Sequence, residues 1–316
     1  MGQPSTAWRE QIDPGAEARY QSHAEQLGRI QAAKSAKYGP GRFLHRKPVL
    51  ALAGSFEVLP NPPPHAAHGI FAAPGRYRAI ARLSNGGMEV QADSKPDVRG
   101  FAFKVAGIAG PAALGGTADH QDFLLINHES FAARTSDEFV GILPSVAKGP
   151  AALLWFMVRK FGLGAGLGRL KLLAKTLGKP FVGFAAESFN TAVPFAVGPY
   201  AAKLRIAPVK PVPAGGKDHG ADMRAQIAKG PIVYDLGLQF FTDEATTPIE
   251  DPTKVWPQDQ SPFLTVARLT LDRVAEDVEK LRFDPWGGLA AHRPLGEIMR
   301  ARKAYYFASQ KARGAV

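Results

Sequence analysis

The chain has 316 residues and a formal charge of +11, from 39 Lys and Arg against 28 Asp and Glu. A hydrophobic content of 45% with 21% charged residues is that of a globular protein with a sizeable core, which excludes a disordered chain. The absence of cysteine excludes disulfide frameworks and thiolate metal sites, while the basic excess favours anionic partners, whether nucleic acid, acidic lipid or small carboxylates.

The opening MGQPSTAWREQIDPGAEARY has no apolar core of a secretory signal, and no run of about 18 apolar residues occurs, so a soluble, cytoplasmic protein is expected. Residues 15–38, rich in Ala, Glu, Gln and Arg, predict a helix that stops at Gly39-Pro40. Residues 49–58 predict a strand closed by the PNPPP of 60–64, and RYRAIARL (76–83) alternates as a half-buried strand should. GFAFKV (100–105) and DFLLI (122–126) are two more short apolar strands. HAAH (65–68) has a spacing that suits a metal on a helix, but it follows PNPPP and reads as loop.

SDEF at 136–139 opens a helical region, expected to be a pair of helices joined by the glycine-rich GLGAGLG of 162–168. That G-x-G neither follows a strand nor opens a βαβ unit, so it is a weak nucleotide signal. The basic, apolar stretch 152–180 is instead a candidate for peripheral membrane contact. Strands are expected again at 232–241 and 264–271, then a helix over 275–283 and a longer one over 293–313. Without repeats or low-complexity linkers, the economical architecture is an N-terminal helical arm (1–40) and one sheet-rich domain (41–316).

Three features could carry chemistry. RFLHRK (42–47) sets His45 beside Arg42, although a lone histidine near a strand is ordinarily structural. ARLSNGG (81–87) and KPDVRGFAFKV (95–105) put Arg82 and Arg99 into apolar strands, where each needs an anionic partner or a polar exit. For Arg99 the expected partner is Asp97 or another local carboxylate. In RARKAYY (300–306), Arg302 and Tyr306 are four apart and share a helix face, with Arg313 two turns on. Packing is the ordinary role of such a tyrosine, but a cation beside a phenol lowers its pKa and suits it to ligate ferric iron.

Taken together these segments resemble the haem catalase superfamily, in particular its small catalase-related peroxidases. RFLHRK followed by GSFEV (54–58) resembles the segment that carries the distal histidine, and PDVRGFAFKV resembles the D-x-R-G-F-A-x-K-F signature. ARLSNGG, DPTKVWP (251–257) with VARLTLDR (266–273), FDP (283–285) and the R-x-x-x-Y of the last helix follow in family order, over residues 40 to 313.

The resemblance implies an α+β fold, an antiparallel β-barrel core with peripheral helices, and a buried haem b whose iron is held by Tyr306. It implies His45 as distal acid–base group with Ser84 as its hydrogen-bond partner. Arg302 would hold the phenolate, Arg42, Arg82 and Arg313 would meet the propionates, and Phe131 would stack on the macrocycle. The implied enzyme is a haem oxidoreductase acting on hydrogen peroxide or organic hydroperoxides, with no nucleic-acid partner and with association into a homo-oligomer. The alternatives are a lipid hydroperoxide-rearranging enzyme like the allene oxide synthases, or a low-turnover haem-binding protein.

One departure stands out. Large catalases carry a distal asparagine where this chain has Ala118 or Asp119, with His120 and Gln121 adjacent, and Asn127 falls too late to match. His120 or Gln121 is the expected substitute donor. The residue before the distal histidine is Leu44, aliphatic as in catalases, whereas the allene oxide synthases carry threonine there.

Overall fold

The structure, a computed structural model, describes residues 2–276 and 281–314, apart from the side chains of 147, 172 and 175. A helix, α1 (Ala16–Tyr38), buries Tyr20, His23, Ala24, Leu27 and Gln31 along one face and ends at Gly39, whose φ of 81° no other residue adopts readily. Strands β1 (Pro48–Val58), β2 (Gly75–Asn85), β3 (Arg99–Pro111) and β4 (Thr117–Ile126) form an antiparallel meander. Helices α2 (Ser136–Lys148), α3 (Pro150–Phe161) and α4 (Leu163–Leu177) follow. Then come β5 (Phe189–Asn190), β6 (Phe195–Val197), β7 (Tyr200–Pro208), α5 (His219–Lys229), β8 (Ile232–Phe240), β9 (Leu264–Val274) and α6 (Glu297–Lys311).

The strand order is β5-β4-β3-β2-β1-β9-β8-β7-β6, and β5 also pairs with β7. The sheet therefore closes on itself as a barrel, with β6 outside the ring. Closure leaves no long unpaired edge. Alternation fills the interior: Ala81 and Leu83 of β2, Phe101 and Phe103 of β3, and Phe123 and Leu125 of β4 belong to one buried apolar cluster. The register then fixes the outer face, where Arg82 stands opposite Ala102 and Ala102 opposite Leu124, while Ser84 stands opposite Gly100 and Gly100 opposite Ile126. A slip of one residue would turn this whole row into the barrel, so core burial itself holds the outer row in place.

The expected strands are all present, β3 and β4 being longer than their apolar runs. Three expectations are corrected. The helical region holds three helices, and most of GLGAGLG lies inside α4, Gly162 alone (φ 79°) making the turn. Gly166 is needed there for packing, since a Cβ on it would come within 2.6 Å of the Met157 carbonyl. Residues 275–276 and 281–283 are not helical, and the rest of that expected helix, 277–280, lies outside the described residues. Arg99 makes no direct ion pair among the described residues, although Asp97 is near enough to act on it through charge: its guanidinium donates to Asn85 and to the main-chain carbonyls of Asp93 and Lys95, and packs on Phe181. Neutral carbonyls satisfy a buried guanidinium as a fork of donors without a formal ion pair. HAAH is a turn, as its proline-rich approach indicates, with His65 and His68 packed against Tyr200.

Candidate active site

The loop from α1 to β1 delivers His45. Its φ is 51°, and the other described non-glycine residues with positive φ are Asn61 and Ala192. A left-handed conformation costs an L-residue about 1–2 kcal/mol and persists only where its surroundings impose it. Here both ends of the residue are clamped. Its N–H donates to the Gly86 carbonyl at 2.9 Å, and its carbonyl accepts from the Arg82 guanidinium at 2.9 Å. The imidazole lies on the outer face of the barrel, with Nδ1 3.1 Å from Oγ of Ser84. Gly100, opposite Ser84 in the register, leaves the room: a Cβ on it would overlap both Nδ1 of His45 and Oγ of Ser84. Burial, then the nearby Arg82, Arg302 and Arg42, push the imidazole down to about 3, so it is neutral at ordinary pH.

The opposite side is a helix. In α6 the Arg302 guanidinium donates to the Tyr306 hydroxyl at 2.8 Å, one turn away as an i, i+4 pair should be. Burial raises the Tyr306 phenol, and Arg302 offsets only part of that rise. The lowering expected from the arginine is thus outweighed by desolvation of the buried phenol. Further along the helix Arg313 donates to the Ser309 carbonyl at 3.3 Å. Across the gap Arg42 donates to the carbonyl of Leu281.

These two sides enclose a cavity with about 1290 Å³ of empty space, its mouth included. His45, Ser84, Arg42, Arg82, Phe131, Arg302, Arg313 and Tyr306 all line it, so these eight residues, far apart in sequence, fall in one place. Phe131 packs at 5.1 Å on Phe139 of α2, which lines the same space. The expected substitute donors do not: neither His120 nor Gln121 lines the cavity. Gln121 is buried at the barrel wall, its amide donating to the Asp122 carbonyl and its oxygen accepting from the Leu289 N–H. His120 turns to Asp119 at 2.6 Å. β4 instead presents Leu124 and Ile126, which makes the wall beside His45 apolar.

Sequence reasoning missed the contribution of α1. Ala24, Leu27, Gly28 and Gln31 close one side of the cavity, and Ala192, with its positive φ, closes another part. The 24, 27, 28, 31 spacing is a single helix face, and two small residues four apart on that face were the signal available.

No protein-family model matches the chain, and no curated protein sequence matches it either. Solved structures do. A fungal catalase superposes with a TM-score of 0.71 at 19% identity, over 87% of this chain and 59% of its own. A bacterial catalase gives 0.68 at 16% identity, over 90% and 60%. Catalase A from Saccharomyces cerevisiae gives 0.63 at 17% identity, over 87% and 61%. The chain thus spans about three fifths of the catalases it matches, and those matches show that it has the catalase fold.

Proposed function

We propose that this chain holds haem b in the cavity and is an oxidoreductase that reduces peroxides with an organic donor. The observation that carries the reading is the meeting of a Ser84-anchored histidine and an Arg302-paired tyrosine across one cavity. The residues fit the group. The space suits a large flat ligand, Gly100 leaves room for the imidazole, and the walls from Ala102, Leu124 and Leu44 are apolar. Tyr306 would hold the iron, Arg302 would hold the phenolate oxygen, and Phe131 would stack on the ring. Arg42, Arg82 and Arg313 would meet the two propionates with charge-assisted hydrogen bonds. When bound, the haem would supply the redox chemistry for cleaving a peroxide O–O bond.

The protein's own part is a proton transfer at Nε2 of His45. With Nδ1 3.1 Å from Oγ of Ser84, the tautomer that donates Nδ1–H to the hydroxyl would leave the Nε2 lone pair free to take a proton. Because the imidazole is neutral, it can take the proton from the near oxygen of a peroxide and return it to the departing one. The balance is a hydroperoxide plus two electrons and two protons giving an alcohol and water, the electrons coming from a reducing co-substrate. With no counterpart of the distal asparagine in the cavity lining and with Leu124 and Ile126 beside His45, alkyl hydroperoxides would be the better substrates and oxygen release slow. The apolar side formed by Ala24, Leu27 and Gly28 supports rearrangement of lipid hydroperoxides as the second reading.

Haem-loaded protein should be given hydrogen peroxide alone, an alkyl hydroperoxide with a phenolic donor, and a fatty-acid hydroperoxide without donor. Donor-dependent reduction of the alkyl hydroperoxide, exceeding oxygen release, is the expected result. Rearranged lipid formed without donor would favour the second reading, and no turnover in any arm would reduce the protein to a haem binder.

A further inference from the structure

We infer that the α3–α4 hairpin is a docking surface for a bilayer containing anionic phospholipid. The fold makes little use of the hairpin: among the described residues of the two helices only Met157 and Gly166 are buried. Its exposed apolar side chains are large. Trp155 is 65% exposed and Leu163 is 68% exposed, with Leu154 and Leu167 also open to solvent. Exposed aromatic and aliphatic groups on short helices are what an interfacial helix inserts among acyl chains.

Charge identifies the partner. From Phe139 to Ala186 the sequence contains no Asp or Glu. Two of the basic residues there serve the fold: Arg169 pairs with Glu138 at 3.0 Å and Lys179 with Glu187 at 3.0 Å. Lys148, Arg159, Lys160 and Lys171 are exposed, and among the described residues none of them has an acidic partner. Leu163, Leu167 and Lys171 follow one line of α4, and Trp155 and Arg159 one line of α3, so apolar and cationic groups alternate along the same faces.

A second copy of the chain does not suit this surface, because a homotypic contact would set cations against cations with no carboxylate to intervene. Nucleic acid would match the charge but leave Trp155, Leu163 and Leu167 without apolar partners. An anionic bilayer satisfies both sets of groups, each basic residue gaining from the surface potential and each apolar one from insertion. The hairpin is continuous with α2, whose Phe139 lines the cavity.

The inference does not rest on the haem reading, since docking requires no cofactor, and the two fail separately. The full chain should be sedimented with vesicles of phosphatidylcholine and with vesicles that also contain phosphatidylglycerol. Emission of Trp155, the most exposed tryptophan, reports insertion, because Trp256 and Trp286 are buried, and a Trp8→Phe background removes the half-buried Trp8. Binding to the phosphatidylglycerol vesicles alone is expected, with a blue shift and with weakening as salt is raised. Lys160→Gln with Lys171→Gln should lower partitioning by roughly 30-fold. Trp155→Ser with Leu163→Ser should lower it by about 10-fold or more, without altering the circular dichroism or thermal midpoint. Absence of vesicle binding, binding that both double variants retain, or retention on duplex DNA with the vesicles left free would each overturn the assignment.

Discussion

Two histidines packed on the same barrel, His292 buried and His45 half-buried, differ in how much of each ring the fold itself uses. His292, near the end of the barrel, has both ring nitrogens occupied: Nε2 accepts from the Ile70 N–H at 2.9 Å, and Nδ1 faces the Ala196 carbonyl at 3.2 Å. Its neighbours Phe71 and Phe195 complete an apolar shell. His45 has one nitrogen on Ser84 and, among the described residues, no hydrogen bond at the other, which belongs to the cavity side. It is also held in a left-handed backbone conformation, whereas His292 lies in a short, relaxed 3-10 turn. A histidine with both nitrogens taken is a strut. One with a single anchored nitrogen, a strained backbone and a cavity beside it has the geometry that the proposed proton transfer requires.

The sharpest way to break that comparison is to truncate each ring. His45→Ala should lower peroxide turnover of the haem-loaded protein by about 10²–10⁴-fold. Its stability should change little, because the ring packs against a cavity. His292→Ala should do the converse, keeping turnover per folded molecule while removing about 2–4 kcal/mol of stability. Parallel kinetics and urea denaturation read both, and equal losses of turnover would make the distinction between them empty.

A smaller effect sharpens it. Burial, only partly offset by the Ala196 carbonyl and reinforced by His68, pushes His292 down to about 4. The unfolded chain then binds the proton near pH 6.5 and the folded one near 4. Stability is therefore full above about 6.5 and declines as the pH falls through that window, by roughly 3 kcal/mol from this residue alone. Urea midpoints measured from pH 7.5 to 4 should fall in that direction, and His292→Gln should flatten the fall. A profile unchanged by the substitution would show that other groups set the acid limit.

Much of this was legible in the sequence, and for definite reasons. The strands of the meander announce themselves through alternation, and the barrel's register carries Arg82 and Ser84 to the same face as Gly100 and Leu124. The pairing of Arg302 with Tyr306 follows from helical spacing alone. What was not legible depends on tertiary partners. GLGAGLG reads as a linker because glycine is a poor helix former, yet Gly166 is where α3 and α4 touch. Asp97 stands two residues from Arg99, but its carboxylate accepts from the Gly87 N–H at 3.0 Å while the arginine turns to carbonyls. His120 and Gln121 lie near the right place in sequence, and only the pairing of β4 with β3 shows them off the cavity. The part played by α1 was hidden because an Ala- and Gln-rich helix carries no chemistry of its own, only the space that Ala24 and Gly28 leave.

The proposed iron ligation by Tyr306 is tested most directly by a haem titration followed through the Soret and charge-transfer bands. Wild-type protein should bind one haem per chain and show the spectrum of a phenolate-ligated ferric centre. Tyr306→Phe should lose that signature while the barrel keeps its fold by circular dichroism. An identical haem spectrum in wild type and Tyr306→Phe would contradict the account.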